Sequence, residues 1–180
     1  MKLRNFIQFG TMVLVALGTL TVQAQDQSFK VGEFNFKTPS GWKWISGETG
    51  MRKAQLAFTD QKTAEKAEVV FYHFGAGQGG TAKANVDRWL GQFQEPREKL
   101  NAKVEPKKIG NGQITFVQAE GTYLSGMPGG PKTAVPNAKL HGAIVDGADG
   151  NVFIRMTGPK SVVEKAASAF TQMVEAPLKQ

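Results

Sequence analysis

The chain has 180 residues, of which 41% are hydrophobic and 21% charged, and its 22 basic and 15 acidic side chains leave a formal charge of +7. It contains no cysteine, which excludes disulfides, thiol catalysis, thiolate metal sites and anchoring through a lipid-modified N-terminal cysteine. The basic excess is spread along the chain, and its densest stretch, Arg97 to Lys108, interleaves glutamates and holds no aromatic residue, so it reads as a solvated loop and edge strand and not as a nucleic-acid surface.

The first element is an address and not part of the fold. Lys2 and Arg4 make a positive start, Met12 to Leu17 centre an apolar stretch, and Val22-Gln23-Ala24 fits the small-x-small cleavage rule. Residues 1–24 are therefore expected to be a signal peptide, with the mature chain starting near Gln25. The apolar stretch is interrupted by Gln8, Gly10, Thr11 and Gly18 and falls short of the about 20 residues of a membrane span. Loss of Lys2 and Arg4 lowers the charge from +7 to +5. A soluble periplasmic or secreted protein is expected, with no membrane span in the mature chain and one domain over 25–180.

Alternation then predicts strands. "EFNFK" puts Phe34 and Phe36 on one side, and Pro39 and Gly41 break the pattern before two tryptophans. "MRKAQLAFT" sends Ala54, Leu56 and Phe58 to one face and Lys53 and Gln55 to the other, while "AEVVFYHF", apolar on both faces, reads as a central strand. Short polar connections join these three into an antiparallel meander.

At Gly75, Gly77 and Gly80 the chain carries a G-x-G-x-x-G spacing. A dinucleotide fingerprint requires that spacing to open a parallel βαβ unit, and here the strand before it belongs to a meander and the next is broken by Pro106. The loop is read as a corner that glycine permits through positive φ. Binding of a small anion by the free N–H groups after Gly79 and Gly80 stays open as the alternative.

From Thr81 the period becomes helical, with Ala82, Val86, Trp89, Leu90 and Phe93 on the stripe to be buried, Thr81 as cap and Pro96 as stop. An edge strand, Lys103 to Ile109, turns at "GNG" into "QITFVQAEGTYL". Residues 125–139, rich in glycine and proline, are expected to be the longest loop. "LHGAIVDGADGNVFIRMTG" is a hairpin turning at Asp146 to Gly150, with Val152, Ile154 and Met156 facing the core. Ser161 and Glu164 form a capping box for a last helix whose stripe is Val162, Val163, Ala166, Ala167, Phe170, Met173 and Val174. The order βββ-α-ββββ-α gives an α+β domain, an antiparallel sheet of about six to seven strands with two principal helices.

The set "MRKAQLAF", "GQGG", "NVDRWLGQF", "EGTY" and "TGPKSV" resembles a family of exported bacterial hypothetical proteins over about Glu33 to Pro177, most specifically at Asn85, Arg88, Trp89, Gln92 and Phe93. That resemblance implies export and carries no activity. In the order of its elements the chain is also similar to the PsbP and Mog1 fold, which implies a non-enzymatic assembly or binding role.

No sequence pattern points to catalysis, and none implies a cofactor. The two histidines, His73 and His141, have no local metal-binding spacing, and each is read as structural. No G-x-S-x-G elbow presents any serine as a nucleophile. The most informative surface is the margin of the first helix, where Asn85 and Gln92 flank Trp89 and Arg88 lies just outside. Such a margin either bonds the neighbouring strand or the 125–139 loop, with Arg88 stacking on Trp89 or pairing a buried acid, or it recognises an acidic group. Gly79 and Gly80 adjoin it, and Arg52 and Arg155, on non-core faces of their strands, add to it if that face is open. The expected function is a non-catalytic binding or assembly module for a protein or an anionic envelope polymer. Its rival is a ligand carrier or hydrolase with a pocket between His141, Arg155 and the 125–139 loop.

Overall fold

Alternating burial builds nine strands, all paired antiparallel, in the computed structural model, which describes residues 27–126 and 129–179. The expected leader, 1–24, lies outside the described residues. Strands β1 (Ser28–Val31) and β2 (Phe34–Lys37) form a two-stranded ribbon. The others, β3 (Trp42–Ser46), β4 (Arg52–Thr59), β5 (Lys66–His73), β6 (Lys103–Ile109), β7 (Gly112–Ser125), β8 (Thr133–Val145) and β9 (Val152–Pro159), make one seven-stranded sheet ordered β3-β4-β5-β9-β8-β7-β6. Helix α1 (Ala82–Leu90) follows β5, and α2 (Lys160–Glu175) follows β9. The α+β class, the antiparallel sheet and the two principal helices are those the pattern predicts, with five strands before α1 in place of three.

The sheet is a central layer. Toward one side it turns Leu56, Val69, Phe71, Ile154 and Met156, which pack with Val162, Phe170 and Val174 of α2 and with the ribbon's Phe34 and Phe36. Toward the other it turns Val117, Leu140, Ile144 and Phe153, which pack under Val86, Trp89 and Leu90 of α1. Each such side chain, fully buried, stabilises the fold by about 1.5–3 kcal/mol. Trp89 lies directly on the backbone of β8: a Cβ on Gly142 would sit 2.5 Å from the indole.

Four expectations are corrected. Phe34–Lys37 does not open the meander. It pairs with β1, and Trp42–Ser46 takes the sheet edge, because a short turn folds the ribbon back to drive Phe34 and Phe36 into the α2-side core. The 125–139 segment is largely strand, since β7 ends at Ser125 and β8 begins at Thr133. Pro136 is accommodated at a register shift, where Tyr123 faces Val135 but Gly121 faces Ala138, and Asn137 takes φ 52°. Ser161 caps nothing: the chain passes from β9 through Pro159 straight into α2, which starts at Lys160 without a side-chain cap bond. Ala167, expected on the buried stripe, is half-buried.

Beyond Gln118, β7 has no β6 beside it, and the segment after α1 takes over that edge. Leu124 N–H donates to Gln92 O at 2.8 Å, Gln94 N–H to Thr122 O at 2.9 Å, and Glu120 N–H to Leu100 O at 2.9 Å. The Glu95 carboxylate accepts from Thr122 N–H at 2.8 Å, which lowers its pKa.

Candidate functional site

Helix α1 covers only part of its side of the sheet. It packs chiefly on β7, and beside it, on the same side of β3, β4 and β5, register sets side chains in rows. Gln55, Val70 and Arg155 stand opposite one another across β4, β5 and β9, and the next row holds Arg52, Tyr72 and Phe153. Lys43 and Lys66 lie on the same side, opposite Ala57 and Thr59. Ile45 is the extra residue where β3 shifts register, on the side away from Trp44, and is 51% exposed.

The α1 margin borders this face. Thr81 caps the helix by accepting from Ala84 N–H at 3.1 Å. Asn85, buried, donates through Nδ2 to Gly79 O at 2.8 Å and Thr81 O at 2.9 Å, clamping the glycine loop to the helix. Gly75, Gly77, Gly79 and Gly80 all have φ between 70° and 88°, and a Cβ on Gly79 would lie 2.7 Å from Phe74 and 2.8 Å from Phe153. With that close packing, and with the carbonyls of Gly79 and Thr81 turned to Asn85, the loop carries the chain from β5 into α1.

Arg88 is exposed and donates to Asn85 Oδ1. It neither pairs with a buried acid nor stacks on Trp89, because the buried asparagine amide, anchored to the loop, turns its oxygen outward three residues back on the same stripe. One turn further on, Gln92 Oε1 accepts from Tyr123 Oη at 2.8 Å and from Arg155 Nη1 at 2.6 Å. Burial raises the Tyr123 pKa and so keeps the phenol a donor. Arg155 Nε is buried without a partner. On β4, Arg52 Nη1 donates to Gln55 Oε1 at 3.0 Å.

The arginines thus share one arrangement. Arg52, Arg88 and Arg155 are each held by the carbonyl of a side-chain amide, and among the described residues only Arg97, on Asp87 at 2.7 Å, pairs with a carboxylate. Elsewhere cations meet acids: Lys160 with Glu120 at 2.8 Å, Lys139 with Glu164 at 3.0 Å, Lys107 and Lys179 with Glu175, and Lys165 with Asp60. An amide oxygen orients a guanidinium without cancelling its charge, so each retains donors for an incoming carboxylate.

The structure brings together Asn85, Arg88, Trp89, Gln92, Gly79 and Gly80 at one margin, and Arg155 with Gln92, while Arg52 lies on the adjoining sheet face. It does not bring His141 to Arg155. His141 pairs with Met156 and faces α2, against Phe170 at 4.8 Å, whereas the adjacent Arg155 faces the opposite side. Strand alternation therefore separates the two residues on which the expected pocket depends. His73, opposite Val152 on β9, lies four residues along that strand from Met156 and bonds Asp149 O at 3.2 Å.

A Ser-x-x-Lys spacing, Ser40 to Lys43, crosses the turn into β3; both residues are exposed and no hydrogen bond joins them. Two clefts lie elsewhere, one of about 370 Å³ between Gly41, Phe58, Asp60 and Lys165, the other of about 200 Å³ among Asn101, Glu120, Lys139 and Lys160. Their charged groups pair with one another, which explains both as seams of the fold. Sequence reading missed Gln55, Tyr72, Tyr123 and Ile45 as members of the face; strand alternation signals the first two, Tyr123 enters it through a distant contact and Ile45 through a bulge.

No protein-family model matches this chain, and no curated protein does. Among solved structures, cyanobacterial PsbP (CyanoP) from Synechocystis sp. PCC 6803 aligns with 88% of this chain and 95% of its own, at TM-score 0.48 and 13% identity. PA94 from Pseudomonas aeruginosa, a protein of unknown function, aligns with 83% of this chain and 93% of its own, at TM-score 0.39 and 10% identity. Both likenesses are loose. Among the described residues no helix is long and apolar enough to cross a membrane.

Proposed function

We propose that the protein is an exported, non-catalytic binding or assembly module that recognises an acidic partner through the α1 margin and the sheet face beside it. The observation that carries this reading is the set of three arginines, Arg52, Arg88 and Arg155, oriented by Gln55, Asn85 and Gln92 with their charge uncompensated. Guanidinium groups held in place lose less freedom on meeting a carboxylate than free ones, and each bidentate contact strengthens recognition. Export rests on the leader pattern of residues 1–24.

The test compares the wild-type protein with an Arg52→Ala/Arg88→Ala double variant, both immobilised and washed with a detergent-solubilised extract of the producing cell's own envelope at 0.15 M salt. Arg52 is exposed and its removal should cost under about 0.5 kcal/mol, while loss of Arg88 takes the donor from Asn85 Oδ1 and should add about 1 kcal/mol, so the variant should stay folded at the temperature of the assay. It should lose the acidic species that the wild type retains. Equal retention by a stably folded variant refutes the proposal.

A further inference from the structure

We infer that the occupant of the open sheet face is an acidic protein surface that also brings apolar side chains, and not a polysaccharide; this rests on the binding reading above. Lys43, Arg52, Lys66, Arg88 and Arg155 point to this side without an ion pair, against Glu68 alone, while Lys53 is already paired with Glu48. A face with that balance attracts carboxylates and repels basic partners.

Exposed apolar side chains on this part of the molecule distinguish one class of acidic partner from another. At the β3–β4 end of the same face stands Ile45, 51% exposed, and in the turn that joins the two strands stands Met51, 66% exposed; they are two of the three exposed large hydrophobic residues among those described. Met51 directly precedes Arg52 in the turn, and Ile45 is lifted out of the sheet's register by the bulge in β3. A bulge at an edge re-aims a side chain at the expense of a regular pair, and here what it re-aims is an isoleucine into solvent. Burying that pair requires apolar groups on the partner. Polysaccharide chains offer hydroxyls and charges in their place, and leave both residues wet.

The composition of the face agrees, because methionine, arginine and tyrosine are the residues enriched in the centres of protein interfaces, whereas lysine and glutamate are depleted. Here Arg52 stands opposite Tyr72 with Met51 next to it in the turn, Arg155 lies one row on, opposite Val70, and Lys43 and Lys66 are at the rim. Tyr72 stacks on Phe74 at 6.4 Å, with the ring planes 9° apart, which stiffens its side chain before any partner arrives.

Three polymers of matched carboxylate content decide the matter by calorimetry on the full chain at 0.15 M salt: poly-L-glutamate, a random glutamate–tyrosine copolymer, and polygalacturonate. The copolymer should bind about tenfold more tightly than either of the others, the gain that partial burial of Ile45 and Met51 supplies. An Ile45→Ser/Met51→Ser variant, altered only at exposed positions, should bind all three alike. Arg52→Ala/Arg88→Ala should bind none. Polygalacturonate binding as tightly as the copolymer would overturn the protein partner in favour of a sugar polymer while leaving the anion-binding reading intact. Copolymer preference surviving in the Ile45→Ser/Met51→Ser variant would also overturn it. If no polymer bound the wild-type protein, the binding reading itself would fall, and this inference with it.

Discussion

Mild acid should weaken this fold before its paired carboxylates are protonated, and one histidine is responsible. His141 is 5% exposed beneath α2, wedged between Phe116 and Phe170, and burial, aided by the Lys139 ammonium, lowers its pKa from 6.5 to about 4. Between those values the unfolded chain takes up a proton at this position that the native chain refuses, so the unfolded state gains as pH falls. With these two pKa values the penalty is negligible at pH 7 and about 2–3 kcal/mol at pH 4.5. In a domain of this size that lowers the melting temperature by roughly 5–10 °C. Asp60, Glu95 and Glu120 do not share the window. Lys165, the Thr122 N–H and Lys160 respectively hold their carboxyls below the usual range, so their stabilisation is intact above the unfolded pKa and is lost only as pH falls toward the native one. Thermal melts of the wild type and of His141→Gln at pH 7, 5.5 and 4.5 check the reasoning. The variant should start lower and lose most of the slope, because glutamine has no proton to gain. Parallel curves for the two proteins would refute it.

Phe170→Ala should cost about 3–5 kcal/mol in urea unfolding, since that ring is fully buried in the α2-side core; a loss under about 1 kcal/mol would mean that α2 packs loosely. Gly142→Ala should destabilise by about 1–3 kcal/mol and shift tryptophan emission, because the new methyl would meet Trp89 at 2.5 Å. Gln92→Leu removes the acceptor shared by Tyr123 and Arg155 and should cost about 1–3 kcal/mol by the same unfolding assay, more than an exposed glutamine would. Intact-mass measurement after export should find a chain starting near Gln25, and retention of residues 1–24 would contradict the leader reading.

What was legible in the sequence was whatever repeats locally. The stripes of α1 and α2, the Thr81 cap, the β6–β7 hairpin and the central place of β5 all rest on periods of two or 3.6 and on turn residues next to them. Three features misled because tertiary structure altered a local rule. Pro39 and Gly41 hid β3, which follows them at once; Pro136 suggested a loop where a bulge absorbs it; and Ser161 looked like a cap although Pro159 had already brought the chain into α2. At the site, helical geometry was enough to place Asn85, Arg88 and Gln92 along one line. The contact of Gln92 with Arg155, 63 residues away, and with Tyr123, 31 away, has no local signal, since it exists only once β9 and the curled end of β7 arrive beside α1.

The segment running from Gln92 to Leu100 has a bearing on aggregation. A strand of fourteen residues bordered by one of seven leaves half its rim bare, and bare rims invite other chains to polymerise on them. Here the donors of Glu120, Thr122 and Leu124 are claimed by Leu100, Glu95 and Gln92 of the same molecule. Along that stretch the backbone is closed to fibril growth. What stays open to other molecules on the α1 side is a carpet of side chains, which selects partners by charge and shape, in place of a ladder of amides, which would accept almost any extended chain.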